Sequence, residues 1–213
     1  MPSDFELRTS ALTRQMHRHM DGVTAESMKL AGVSGLFNYG VNIPTIRRIA
    51  AETGCDHRFA KHIYMRPVRE LRMAALTIAD PAQVTAGELS FWLDGAITCE
   101  LLDEMAMRLI SRTRLADEVI SQWLERGDAR ARYAALMSLA RTAGCDAGRV
   151  LDAAAASVAE YPDDMQIARA AAVFCSSLVA DDSFGPLLGE FAGKIDGRTP
   201  AAGHILGELE WMM

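Results

Sequence analysis

Residues 69–76 read Arg-Glu-Leu-Arg-Met-Ala-Ala-Leu, basic side chains followed by a run of small apolar ones. The arrangement returns at 130–136, Arg-Ala-Arg-Tyr-Ala-Ala-Leu, and at 166–172, Gln-Ile-Ala-Arg-Ala-Ala-Ala. Alanine has the highest helix propensity, and its small side chain lets neighbouring helices approach closely. Each run therefore predicts a helix that packs tightly, with a basic residue near its N-terminal half.

The surrounding segments pair in the same rhythm. Helices are expected over 68–80 and 85–93, 98–113 and 115–126, 129–142 and 147–160, and 165–180 and 184–195. The first members start about 30, 31 and 36 residues apart, a spacing typical of stacked helix pairs. Glycine and proline punctuate the chain at short intervals, including Gly32–Gly35, Gly54, Gly95, Gly144 and Gly185-Pro186. Strand signals are nearly absent, because β-branched alternation is missing while Ala, Leu, Met, Arg and Glu dominate. The expected fold is all-α, a solenoid of helix pairs. We divide it into an N-terminal helical region, 1–35, the helix-pair repeats, 36–195, and a C-terminal helix, 196–213. In a curved stack the equivalent first helices line one face, so Arg69, Arg72, Arg132 and Arg169 are expected to form a basic ladder along it.

Bulk composition narrows the function classes. Half of the 213 residues are hydrophobic and 23% are charged, the balance of a folded globular chain. No apolar run approaches the roughly 20 residues of a membrane span. The opening MPSDFELRTS lacks the apolar core of a signal peptide, so the expected location is the cytoplasm. Cys55, Cys99, Cys145 and Cys175 stand alone, without a CxxC pair or a Cys/His cluster, so neither a metal nor a cofactor is expected. The net charge of −6 is unevenly distributed. Residues 1–78 hold eleven basic and seven acidic residues; residues 79–213 hold eleven and twenty-one. A basic first third suits a nucleic-acid contact of limited extent. Its best phosphate-contact group is Arg47, Arg48, Arg58, Lys61, Arg66, Arg69 and Arg72.

Residues 37–50, FNYGVNIPTIRRIA, combine a loop with a helix that Pro44 opens in its first turn. This stretch resembles the YGV-x-x-P-x-x-R segment of DNA alkylation repair proteins of the AlkD type. Residues 68–79, VRELRMAALTIA, are similar to the E-x-R-x-x-A helix that follows it in the family. The resemblance covers roughly residues 20–195. It implies a right-handed superhelix of HEAT-like helix pairs, C-shaped, holding duplex DNA in its concave face. It further implies excision of cationic alkylated purines. There an aspartate stabilises the positive charge on the sugar while tryptophans line the cleft. A cationic base is already a good leaving group, so a fixed carboxylate can supply electrostatic stabilisation without a strong nucleophile.

The aspartate position of the family falls on Asp103, within ITCELLDEMA, residues 97–106. Thr98 is the expected N-cap of its helix. Glu100 complements the macrodipole, and Glu104 is placed to pair with Arg108. Asp103 projects at the border of the apolar stripe formed by Leu101, Leu102, Met105 and Leu109. The family's tryptophan positions fall on Cys99 and on Val173, with Phe174 beside it. The arginine of the middle repeat aligns with Tyr133, next to Arg132. Two readings stay open. One is a repair protein that binds duplex DNA, alkylated or not, through Arg47, Arg48, Arg69, Arg72, Arg132 and Arg169, with Asp103 as its catalytic carboxylate. The other is a non-catalytic helical module for a protein partner or structured nucleic acid, favoured by the acidic later part and the replaced aromatics.

Overall fold

A computed structural model describes residues 3–31 and 34–212; the Gly32–Val33 part of the expected break lies outside them. The described residues are helical throughout, and their one β feature is an isolated parallel bridge between Phe37 and Val68. The chain divides into two compact units, Met1–Leu109 and Ile110–Met213.

The first unit contains α1 (Asp4–His17), α2 (Gly22–Leu30), α3 (Ile43–Thr53), α4 (His57–Tyr64), α5 (Arg69–Ile78), α6 (Leu89–Gly95) and α7 (Cys99–Arg108). Helices α3, α5 and α7 pack in a row; α4 covers α5, and α6 adjoins α7. The expected helices over 68–80 and 85–93 and the start of a helix at 98 are therefore present, but the main partners of α5 are α3, α4 and α7, where the sequence pattern had paired it with 85–93. Helix α4 was not anticipated from the sequence. Its N-cap Asp56 accepts from the Phe59 amide at 2.9 Å and holds Arg8 of α1 at 2.7 Å. Trp92 of α6 is fully buried against Tyr64, whose hydroxyl donates to the Trp92 carbonyl at 2.6 Å.

The second unit begins with α8 (Ala116–Val119), which runs on into a π-helical turn, Ile120–Leu124. It continues with α9 (Ala129–Leu139), α10 (Ala147–Glu160), α11 (Met165–Leu178), α12 (Gly185–Lys194) and α13 (Pro200–Met212). Helices α9, α11 and α13 form one layer, and the π turn, α10 and α12 the other. Helix α9 is buried from Ala131 to Leu139, as befits a central element with neighbours on all sides. The expected helix 129–142 ends early because Ala140 closes the last turn; 147–160 matches α10 at both ends. Asp128, Asp146 and Asp164 cap α9, α10 and α11, each accepting backbone N–H groups of the first turn. Part of the acidity of the later part is thus engaged in starting helices.

The 37–41 loop is held in the first unit by a buried ion network. The Arg69 side chain is 0% exposed. It donates to both carboxylate oxygens of Glu100, at 2.5 and 2.7 Å, to Glu70 at 3.0 Å and to the Val41 carbonyl at 2.9 Å. Glu70, also fully buried, accepts from the Tyr39 and Val41 amides at 3.2–3.3 Å. Gly40 follows Tyr39 with φ +75°, and a Cβ there would lie 2.0 Å from the Asp21 carbonyl oxygen and 2.8 Å from the Ala25 amide. Only glycine lets the loop approach the start of α2 so closely. Helix α2 buries none of its own residues.

Removing one partner of a buried ion network leaves the others uncompensated, at a cost of about 3–5 kcal/mol. Arg69→Ala is therefore expected to lower the unfolding free energy by about that amount in urea titrations. Arg48→Ala, which removes an exposed pair with Glu52, is expected to change it by about 0.5 kcal/mol or less. Equal losses in the two variants would show that the network does not hold the unit.

Candidate nucleic-acid interface

Helix α7 carries the candidate carboxylate. Thr98 caps it, accepting from the Leu101 amide at 3.3 Å. Its two glutamates turn inward. Glu100 binds Arg69, and Glu104 is buried with a bidentate pair to Arg47 at 2.5 and 2.9 Å; Arg108 reaches it at 3.5 Å. Positions 100 and 104 share one helix face, so these anchors fix the rotation of α7. The adjacent stripe then carries Cys99, exposed, and Asp103, half-buried. The turn before Asp103 presents the Cys99 thiol at the position where the resemblance implied a tryptophan.

The other candidate residues were expected to line a cleft or contact phosphate, and their environments differ sharply. Arg69 is enclosed, so it has no donor for an external phosphate. Arg72 is half-buried and donates to the backbone carbonyls of Arg66 and Gly95 at 3.0 and 2.7 Å. Arg47 is half-buried on Glu104, which raises its already high pKa through the shared hydrogen bonds. Arg48 is exposed; it pairs with Glu52 at 2.8 Å and lies 3.4 Å from His19. In the second unit, Arg132 is buried, donating to the Gly127 carbonyl and holding Glu160 at 2.7 Å. Tyr133 and Phe174 are buried core side chains and Val173 is half-buried. Arg169 is exposed and forms no ion pair among the described residues. The expected ladder is thus largely internal: its first, second and third members tie helices together, and only Arg169 faces solvent freely.

Apart from Arg169, the exposed arginines that lack a carboxylate lie at positions the repeat pattern did not mark. In the first unit Arg14 and Arg18 flank His17 near the end of α1, and His19 follows beside Arg48. In the second unit Arg112 and Arg114 lie beyond α7, and Thr142 donates to the Ser111 carbonyl at 3.4 Å. That contact brings Arg141 to the same corner as Arg112. The signal in the sequence was their place at or just beyond helix ends. Among the described residues, no three His, Cys, Asp or Glu side chains group as metal ligands. No described helix is long and apolar enough to cross a membrane.

These features define an all-α protein of HEAT-like helix pairs. The family model described as "DNA alkylation repair enzyme" matches residues 12–173, and the chain belongs to that family. Among solved structures, it is similar to one described as "a new family of proteins related to the HEAT-like repeat DNA glycosylases with affinity for branched DNA structures". That similarity has a TM-score of 0.70 at 18% identity and covers 98% of this chain and 95% of the other. No curated protein matches the chain.

The cysteines report on this architecture. Burial pushes the Cys175 thiol of α11 up to about 12, whereas Cys55 and Cys99 are exposed. The thiolate is the reactive form. Iodoacetamide at pH 8 is expected to label Cys99 and Cys55 in the native protein and Cys175 only after denaturation, as read by peptide mass spectrometry. Native labelling of Cys175 at the rate of Cys99 would contradict the packing of α11.

Proposed function

We propose that this protein binds duplex DNA, and branched DNA more tightly, through its exposed arginines. The observation that carries the reading is the split in its cations. Arg47, Arg69, Arg72 and Arg132 are held by internal carboxylates or carbonyls. Arg14, Arg18, Arg112, Arg114 and Arg141 are exposed at two basic corners without a carboxylate. Guanidinium groups left unpaired in an acidic chain are suited to phosphate, which they grip bidentately. Family membership and the branched-DNA affinity described for the similar structure support the same direction.

Phosphate neutralisation releases counterions, so affinity falls with salt, with a slope of about 0.9 per phosphate contact. For the wild type, binding to a four-way junction and to a blunt duplex is expected to weaken steeply between two salt concentrations, the junction remaining the better ligand. Arg112→Ala/Arg114→Ala is expected to weaken both and flatten the slope by about 2. An unchanged slope would remove this corner from the interface, and salt-independent binding would sink the reading.

A second reading, release of cationic alkylated purines, rests on Asp103. Its half-buried carboxylate has the chemistry to stabilise an oxocarbenium-like sugar as the base departs. Cys99 supplies no aromatic contact one turn away, so excision is expected to be slow. The check is release of methylated purine from alkylated duplex. Loss of that release in Asp103→Asn, with DNA affinity retained, is the expected outcome. Equal release by both proteins would leave DNA binding alone.

A further inference from the structure

Helices α11 and α13 enclose a groove of about 430 Å³ lined by Arg169, Val173, Ser176, His204, Glu208 and Trp211, together with Ala172 and Met212. Three features set it apart. Trp211 is 86% exposed, whereas Trp92 and Trp123 are buried. Arg169 has no ion pair among the described residues, although Arg132, Arg149, Lys194 and Arg198 in the same unit each hold a carboxylate. Glu208 is also exposed and has no ion pair among the described residues, and it does not meet Arg169 although both line the groove.

An uncovered indole, an unpaired guanidinium and an unpaired carboxylate facing one space of this size define a ligand with three matching parts. It is planar, anionic at one side and donor-bearing at another. We propose that the groove holds an unpaired nucleotide of a DNA strand. The base stacks on Trp211, the phosphate sits on Arg169, and the base edge donates to Glu208. Stacking of a base on an aromatic side chain is worth about 1–3 kcal/mol and tolerates any base. Selectivity then comes from the carboxylate, which accepts through two oxygens. Guanine answers best, since its N1–H and N2 amine present two parallel donors. Val173 and Ala172 provide the apolar floor beneath the ring. The proposal rests on the DNA-binding reading and adds to it an address for the unpaired base at a branch or flap.

The experiment compares a blunt duplex with the same duplex carrying a short unpaired flap of guanine, inosine or thymine. Ligands are titrated into the full chain while tryptophan fluorescence and its quenching by acrylamide are recorded. Because the other two tryptophans are buried, the accessible signal belongs to Trp211. The guanine flap is expected to shield Trp211 and to bind more tightly than inosine, which lacks the N2 amine. Trp211→Ala is expected to weaken flap binding about 10-fold while leaving blunt duplex unchanged. Trp211→Phe should restore most of the loss, and Glu208→Gln should level the three flaps. If blunt duplex binds but flaps add nothing, or if Trp211→Ala weakens both ligands equally, this inference falls and the DNA-binding reading stands. If Trp211→Ala changes sedimentation and not flap affinity, the groove is a self-association surface and the inference falls. If a single-stranded guanine hexamer shields Trp211 while duplex and junction do not bind, the groove stands and the duplex reading fails. Absence of all binding overturns both.

Discussion

The guanidinium of Arg69 has no access to water, and the first unit is arranged to satisfy it. An isolated buried charge is prohibitively unfavourable, so each donor must find an acceptor. The acceptors come from three places: the start of α7 through Glu100, the neighbouring Glu70, and the 37–41 loop through the Val41 carbonyl. Glu70 then fixes the same loop by accepting its amides. One ion network therefore sets the loop, the entry to α5 and the rotation of α7. Asp103 inherits its orientation from that arrangement, because Glu100 and Glu104 hold the neighbouring face of α7 inward.

Helix existence was legible in the sequence, because it depends on local chemistry, whereas pairing was legible only in part: α9 meets α10 as expected, but α5 packs on α4 and α11 on α9 and α13. Aspartate and threonine caps, proline in a first turn and alanine runs act within a few residues, and α10 matched its expected span at both ends. The destination of the arginines was not legible. Arg69 meets Glu100 across 31 positions and Arg47 meets Glu104 across 57, and nothing local distinguishes such a partner from solvent. The basic residue that opens each alanine-rich helix looked like a ladder for phosphate. In Arg69 and Arg132 it is a tether to the adjoining helix. Helix α4 went unread because it is only eight residues long and half of them are His, Arg and Lys, and its burial comes largely from α5.

Charge balance alone also gave an incomplete picture. The later part of the chain is strongly acidic, yet Asp128, Asp146 and Asp164 are turned to backbone amides, and Glu125 and Glu160 are neutralised by Arg149 and Arg132. A carboxylate that accepts N–H groups at a helix start projects less field than its formal charge suggests. The exposed arginines at the corners have no such compensation. Local pairing decides which charges a polyanion meets, and net charge does not.

The contact at Gly40 divides the tolerance of the N-terminal region in an unequal way. Helix α2 has no fully buried residue, and apart from half-buried positions such as Met28, which meets Asn38, its sequence has wide latitude. The glycine against which its first turn rests admits no side chain at all. Drift along α2 and fixity at a single position outside it are two faces of one contact: the helix is replaceable, and its docking point is not.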